Sequence, residues 1–194
     1  MASRHPCRVK LVVLTQNVKI PVHQERSFIP LSITILTVSD TRIEATDTAG
    51  RLLRERVTEA GHWVIDRSIV ADDKYQIRAR VSEWIADPAI HVILTTGGTG
   101  VTGRDGTPEA VEVLFDKTLE GFGEVFRSLS YQEIGTSTLQ SRATAGVANG
   151  TYLFCLPGSP NACRLAWDAL IQAQLDYRTR PCNLVELMPR LLES

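Results

Sequence analysis

The chain has 194 residues, 43% of them hydrophobic, and a formal net charge of −1, which suits one sizeable domain with its own core and leaves too little for two. Five Lys and Arg against one Glu fall within residues 1–26, so 16 of the 21 basic and 21 of the 22 acidic residues follow them. That mildly acidic remainder argues against nucleic acid as the main partner.

Residues 1–27 read as a variable N-terminal extension, or as sequence upstream of the true start, preceding a domain over 28–194. The apolar stretch Leu11-Val-Val-Leu14, flanked by Arg8, Lys10 and Lys19, is too short to span a membrane, and no clean cleavage site follows it. From residue 32 short β-rich runs alternate with helical periodicity. Residues 32–39 form a β-branched strand ending at Asp40. Asp47 caps a helix over 48–60, with Leu52, Leu53, Val57 and Ala60 on one face and Gly61 as its stop. Trp63, Ile65, Ile69 and Val70 mark a second strand. Asp72 and Asp73 precede a helix carrying Ile77, Val81, Trp84 and Ile85, stopped by Asp87-Pro88. A third strand, 91–96, enters a glycine-rich loop, and a helix follows over 107–116. Another helix begins near Gly121. The strand 151–156 leads into Pro157-Gly158-Ser159-Pro160 and a long helix with Ala162, Ala166, Trp167, Leu170 and Ile171 as its stripe. This rhythm implies an α/β fold, a largely parallel sheet covered by helices on both faces.

The loop over 97–107 is the most informative segment. Glycines let an anion touch the main chain, and the one acid, Asp105, beside a phosphate makes sense mainly if a divalent cation bridges the two. Thr107 reads as N-cap with Pro108 in the first helical position, aiming unpaired amides back at the loop. Two standard phosphate motifs fail on placement. Residues 98–103 match the dinucleotide fingerprint, but Pro108 opens the helix several residues too late, and the nearest lysine, Lys117, is too far on for a P-loop. A glycine-rich connection without a ligand is the plain alternative.

In such sheets ligands bind beyond the carboxyl ends of the strands. Four loops meet there: Asp40 after the first strand, Asp72 and Asp73 after the second, Gly97, Gly98, Thr99, Gly100, Arg104 and Asp105 after the third, and Pro157, Gly158 and Ser159 after a later one. Ser159-Pro160 repeats the cap-plus-proline arrangement, so two helix N-termini would face one crevice, suited to more than one phosphate. Asp47, Asp72 and Asp73 each also have the ordinary explanation of helix capping. Arg104 and Arg127 can fork onto phosphate or pair with surface carboxylates, and for Arg127 the structural role is favoured. The cysteines Cys7, Cys155, Cys163 and Cys182 lack metal-binding spacing. Cys155 and Cys163 read as buried, reduced thiols, consistent with a cytoplasmic protein.

Thr96-Gly-Gly-Thr-Gly100, Asp105-Gly-Thr-Pro-Glu-Ala110, Gly121-Phe-Gly-Glu-Val-Phe-Arg127 and Leu156-Pro-Gly-Ser-Pro160 together resemble the MoaB/MogA family of molybdenum cofactor biosynthesis proteins, over about residues 28–182. Phe28-Ile-Pro30, residues 134–142 and Thr179-Arg-Pro-Cys-Asn183 resemble the MoaB branch in particular. The resemblance implies a three-layer α/β/α domain that binds molybdopterin and assembles as a homo-oligomer, trimer or hexamer. It also implies, for the adenylyltransferase members, transfer of AMP from Mg-ATP to the terminal phosphate of the pterin. Matched by motif, the two aspartates of that chemistry fall on Asp72 and Asp105, which would hold Mg²⁺. Ala71 stands where the adenylyltransferase branch often has proline. The alternative is a non-catalytic molybdopterin-binding or carrier protein.

Overall fold

Six strands form one mixed sheet in the order β2-β1-β3-β6-β5-β4 in the computed structural model, which describes residues 26–193. The strands are β1 (Ser32–Val38), β2 (Trp63–Val70), β3 (Val92–Thr96), β4 (Lys117–Thr118), β5 (Thr144–Ala148) and β6 (Thr151–Leu156). Pairings β1/β2, β1/β3 and β3/β6 are parallel, whereas β6/β5 and β5/β4 are antiparallel. The extension read over 1–27 lies, but for its last two residues, outside the described residues, as does Cys7.

The central strands are buried on both faces, which is why their sequences run apolar without alternation. Ile33 and Ile35 of β1, Val92 and Leu94 of β3, and Tyr152, Phe154 and Leu156 of β6 point to one side. There they meet α1 (Thr48–Glu59), α4 (Glu120–Ile134) and α5 (Pro160–Ala166). Leu36, Val38, Ile93, Leu153 and Cys155 point to the other, against α2 (Lys74–Ala86) and α3 (Thr107–Val111). The result is the three-layer α/β/α sandwich the sequence implied. The helix after β6 passes through one π turn at Trp167–Ile171 before α6 (Gln172–Gln174), and α7 (Leu184–Leu187) follows.

Two local expectations need correction. The helix expected over 107–116 is a short α3 that tightens into a 3₁₀ turn at Glu112–Leu114. Its N-cap is Gly106 rather than Thr107. The Thr107 hydroxyl donates instead to the carbonyl of Gly97 at 2.8 Å, a buried non-local bond that wins over local capping. The antiparallel strands β4 and β5 had no counterpart in the sequence reading. Strand β5 is Thr-Ala-Gly-Val-Ala, a composition with little strand preference, because a side chain at Gly146 would collide with the Phe115 ring.

Candidate functional site

The loops at the carboxyl ends of β1, β2, β3 and β6 converge, as the topology requires. The amide of Asp72 donates to Asp40 Oδ1 at 3.1 Å, joining the loop after β1 to the loop after β2. Arg104, from the glycine loop, places one Nη on both oxygens of Asp40, at 2.7 and 2.6 Å. That arginine holds the Asp40 carboxyl below its usual range, helped by the Asp72 amide. Arg104 and Asp40 thus pair with each other across the mouth of the site, and both are exposed.

Gly97 (φ +103°) and Gly98 (φ +63°) occupy backbone conformations that side chains disfavour, and neither has room for one. A Cβ on Gly97 would strike the carbonyl of Val38, and one on Gly98 would strike the Thr107 hydroxyl. The same probe shows how close the catalytic candidates lie. A Cβ at Gly98 would be 3.1 Å from both Asp72 oxygens, and one at Gly100 would be 2.7 Å from Asp105 Oδ2. From the far wall, a Cβ at Gly158 would be 3.2 Å from the Cα of Gly97. The amides from Gly97 to Gly100 are not equivalent. The Gly97 amide donates to Leu156 O at 3.1 Å, Thr99 is buried, and the Gly100 amide bears on the Asp105 carboxylate. Gly98 is the half-exposed position left to approach an anion.

The two candidate carboxylates differ in character. Asp105 accepts from the Thr102 hydroxyl at 2.6 Å and the Thr102 amide at 2.8 Å. These bonds, led by the hydroxyl, outweigh partial burial and keep the group ionised below its usual range. Asp72 is the opposite case. Burial pushes its carboxyl up, the neighbouring charges of Asp105 and Asp40 push the same way, and only the Gly106 amide and Arg104 oppose them. Its Oδ1 is buried without a hydrogen-bond partner. An orphaned carboxylate oxygen beside two further carboxylates is an electrostatic debt that a cation would settle.

Pro157 and Ser159 play structural parts as well. The carbonyl of Pro157 accepts from the Thr96 hydroxyl at 3.0 Å and from the Cys163 thiol at 3.4 Å, locking the end of β3 to the start of α5. Ser159 caps α5 through Ala162 N at 3.2 Å, as expected. Arg127 takes the structural role, donating to Ala143 O at 3.0 Å.

Beside these loops lies a cleft of about 140 Å³ whose walls include Ser39, Arg42, Asp47, Thr96, Gly97 and Gly158. Asp47 is buried there. Burial disfavours its charge, but the Thr37 hydroxyl (2.7 Å), Arg67 (2.9 Å) and the Gly50 amide (2.9 Å) outweigh that and hold it below the usual range. A larger groove, about 560 Å³, runs along the outer edge of β2 past Arg54, Trp63 and Asp66. It is shallow and contains none of the glycine-loop residues, so size alone is a poor guide here.

Sequence reasoning missed three participants. Arg42 gave no signal beyond being one of many arginines. Thr102 is detectable in hindsight as a threonine three residues before an aspartate, the i→i−3 spacing at which a side-chain acceptor can bond back to the preceding backbone. Arg142 donates through Nε to Gly100 O at 2.7 Å, through Nη2 to Asp105 O at 2.8 Å, and pairs with Glu109. It closes the 134–142 motif that resembles the MoaB branch, but nothing in that motif points to a contact with the glycine loop.

The strand ends of this α/β sandwich gather a glycine loop, three carboxylates and a capped helix start around one crevice, an arrangement suited to an anionic ligand. In agreement, residues 34–177 match the family model described as "Probable molybdopterin binding domain". The chain is 60% identical over 156 residues to molybdenum cofactor biosynthesis protein B of Escherichia coli K12, covering 80% of this chain and 92% of that one. It is 47% identical over 146 residues to the protein of the same name from Bacillus cereus, covering 75% and 86%. Among solved structures, that of a molybdenum cofactor biosynthesis protein B superposes with a TM-score of 0.75 at 46% identity, covering 77% of this chain and 94% of that one. The tungsten cofactor synthesizing protein MoaB from Pyrococcus furiosus gives 0.65 at 39%, covering 72% and 89%. The chain belongs to the MoaB/MogA family of molybdenum cofactor biosynthesis proteins, in its MoaB branch.

Proposed function

We propose that the protein binds molybdopterin and transfers AMP to it from ATP. An oxygen of the pterin's terminal phosphate attacks the α-phosphorus, a new P–O bond forms, the bond to the β-phosphate breaks, and pyrophosphate leaves. A phosphate nucleophile is already ionised near neutral pH, so the site needs no strong base. Its work is to align two anions and offset their charge. The glycine loop at Gly98 and the N-terminus of α5 behind Ser159 supply the phosphate contacts in this reading.

Asp72 and Asp105 would hold Mg²⁺, which supplies positive charge between the phosphates when bound. The residues fit such an ion: the orphaned Oδ1 of Asp72 and the surrounding carboxylates carry the argument. Among the described residues no group of three or more His, Cys, Asp or Glu is arranged as a cation cage. That suits Mg²⁺, which is usually held by one or two carboxylates together with substrate phosphates and water. The exposed side chains Tyr131 and Ile134, one turn apart on α4, and Leu139 in the turn after it suit contact between copies in a trimer or hexamer. No described helix is long and apolar enough to cross a membrane, and the buried free thiols Cys155 and Cys163 fit a reducing cytoplasm.

The observation that carries the reading is the unsatisfied Asp72 beside the glycine loop. Its test is an assay of purified protein with molybdopterin and Mg-ATP, following adenylylated pterin and pyrophosphate, with Asp105→Asn as control. Loss of product in the variant with molybdopterin affinity within a few-fold is the expected result, and equal turnover refutes the assignment. One observation favours a second reading, a non-catalytic molybdopterin carrier: Asp105 already has its Oδ2 satisfied by Thr102, and Arg104 is occupied by Asp40. Tight pterin binding without product would establish it.

A further inference from the structure

Besides Asp40, which pairs with Arg104, the glycine loop is held from outside by Arg142. Arg142 lies in the connection that enters β5, 42 positions beyond Gly100, and its backbone amide donates to Thr99 O at 3.2 Å. The half-buried guanidinium then spreads over three acceptors: the carbonyl of Gly100, the carbonyl of Asp105 and the carboxylate of Glu109 on α3. The loop leaves β3, turns through 100–105 and enters α3, and Arg142 touches it before, at the end of and after that turn.

We propose that Arg142 is a positioning residue for AMP transfer, fixing the backbone of Asp105 so that its carboxylate stands where it can share a cation with Asp72. The proposal rests on the reaction proposed above. Restraints act on Asp105 from two directions. Thr102 and the Gly100 amide orient the carboxylate, while Arg142 fixes the carbonyl of the same residue. With either alone, the carboxylate keeps a hinge. A planar fork with five donors meets acceptors on separate turns at once, which the single ammonium of lysine does not. Arg142 touches no reacting group in this arrangement. Its effect passes through Asp105.

The test compares wild type with Arg142→Lys and Arg142→Ala. In Arg142→Lys, kcat for AMP transfer is expected to fall by about 10²-fold, the size of a displacement near 1 Å. KM for molybdopterin should stay within a few-fold, and the Mg²⁺ activation curve should move to higher concentration. Added guanidinium should restore part of the rate to Arg142→Ala. A variant that melts earlier yet keeps wild-type kcat and Mg²⁺ dependence overturns the proposal. Amide hydrogen exchange at residues 98–105 provides a readout independent of turnover. If wild type transfers no AMP, the proposed reaction fails by itself, and exchange decides for Arg142: about tenfold faster exchange in Arg142→Lys supports the role, unchanged exchange removes it.

Discussion

The amide of Asp72 and the carboxylate of Asp40 meet at 3.1 Å, so the acid at the end of β1 sets the backbone position of the acid at the end of β2. Asp40 is doubly engaged, because Arg104 binds it from the glycine loop. Asparagine keeps an oxygen for the Asp72 amide and gives up the ion pair, while alanine gives up both. In steady-state assays Asp40→Asn should change kcat/KM by a few-fold only, whereas Asp40→Ala should lower it by about tenfold or more, the scale of one lost charge-assisted bond.

Asp72 should trade stability against function. Its folded-state pKa is raised, so the folded protein holds that proton more tightly than the unfolded chain, and the ionised group opposes folding once pH has risen through the folded value. Removing the charge should therefore stabilise the ligand-free protein at neutral pH. Asp72→Asn is expected to raise Tm by about 2 °C or more without Mg²⁺ and to abolish the further rise that Mg-ATP gives wild type. Thermal scans with and without Mg-ATP measure both effects, and a lowered Tm in the ligand-free variant contradicts the electrostatic account.

His62 predicts the acid limb of stability. Its Nδ1 accepts from Leu31 N at 3.1 Å, which requires the neutral ring, and burial depresses its pKa from 6.5 to about 4, with Asp176 only partly opposing. The unfolded chain binds the proton first as pH falls, so this contribution is complete above about 6.5 and is lost between there and about 4. The full loss is on the order of 3 kcal/mol. Urea titrations from pH 7 to 4 should show the decline, and His62→Asn, which retains an acceptor but does not titrate, should flatten it.

Thiol reactivity should follow burial. Cys155 and Cys163 are buried and pushed up to about 12 by desolvation, opposed at Cys163 by the Thr96 hydroxyl 3.1 Å away, whereas Cys182 is exposed. Brief alkylation of the native protein, read by peptide mapping, should modify Cys182 and spare the other two until denaturant is added. Early labelling of Cys163 would mean that the contact between β3 and α5 opens readily.

The sequence revealed much of this architecture because several signals agreed. Strands β1, β3 and β6 are continuous β-branched or apolar runs. Asp47, Asp73 and Ser159 cap the helices they precede. The antiparallel edge was illegible because β5 is short and carries Gly146 at its centre, where Phe115 leaves no room for a side chain. Thr107 was misassigned because its partner, the Gly97 carbonyl, is a tertiary neighbour. Arg142 was legible as the end of the 134–142 motif, but its contacts with the loop were not, for a related reason. Two of its acceptors are main-chain carbonyls 42 and 37 positions away, and carbonyls carry no residue identity to search for.

Strand β6 is the last of the sheet to be synthesised, yet it sits beside β3, between that strand and β5. The Thr96 hydroxyl finds the Pro157 carbonyl 61 positions downstream, and Gly158 lies against Gly97. A nascent chain that has emerged only as far as α3 carries the glycine loop with one wall of its crevice and nothing opposite. Ligand capture must then wait for nearly the whole domain to leave the ribosome. On the proposed function, a fragment ending before β6 would carry the glycine loop without the wall from Pro157 to Ser159 and would not enclose a phosphorylated pterin.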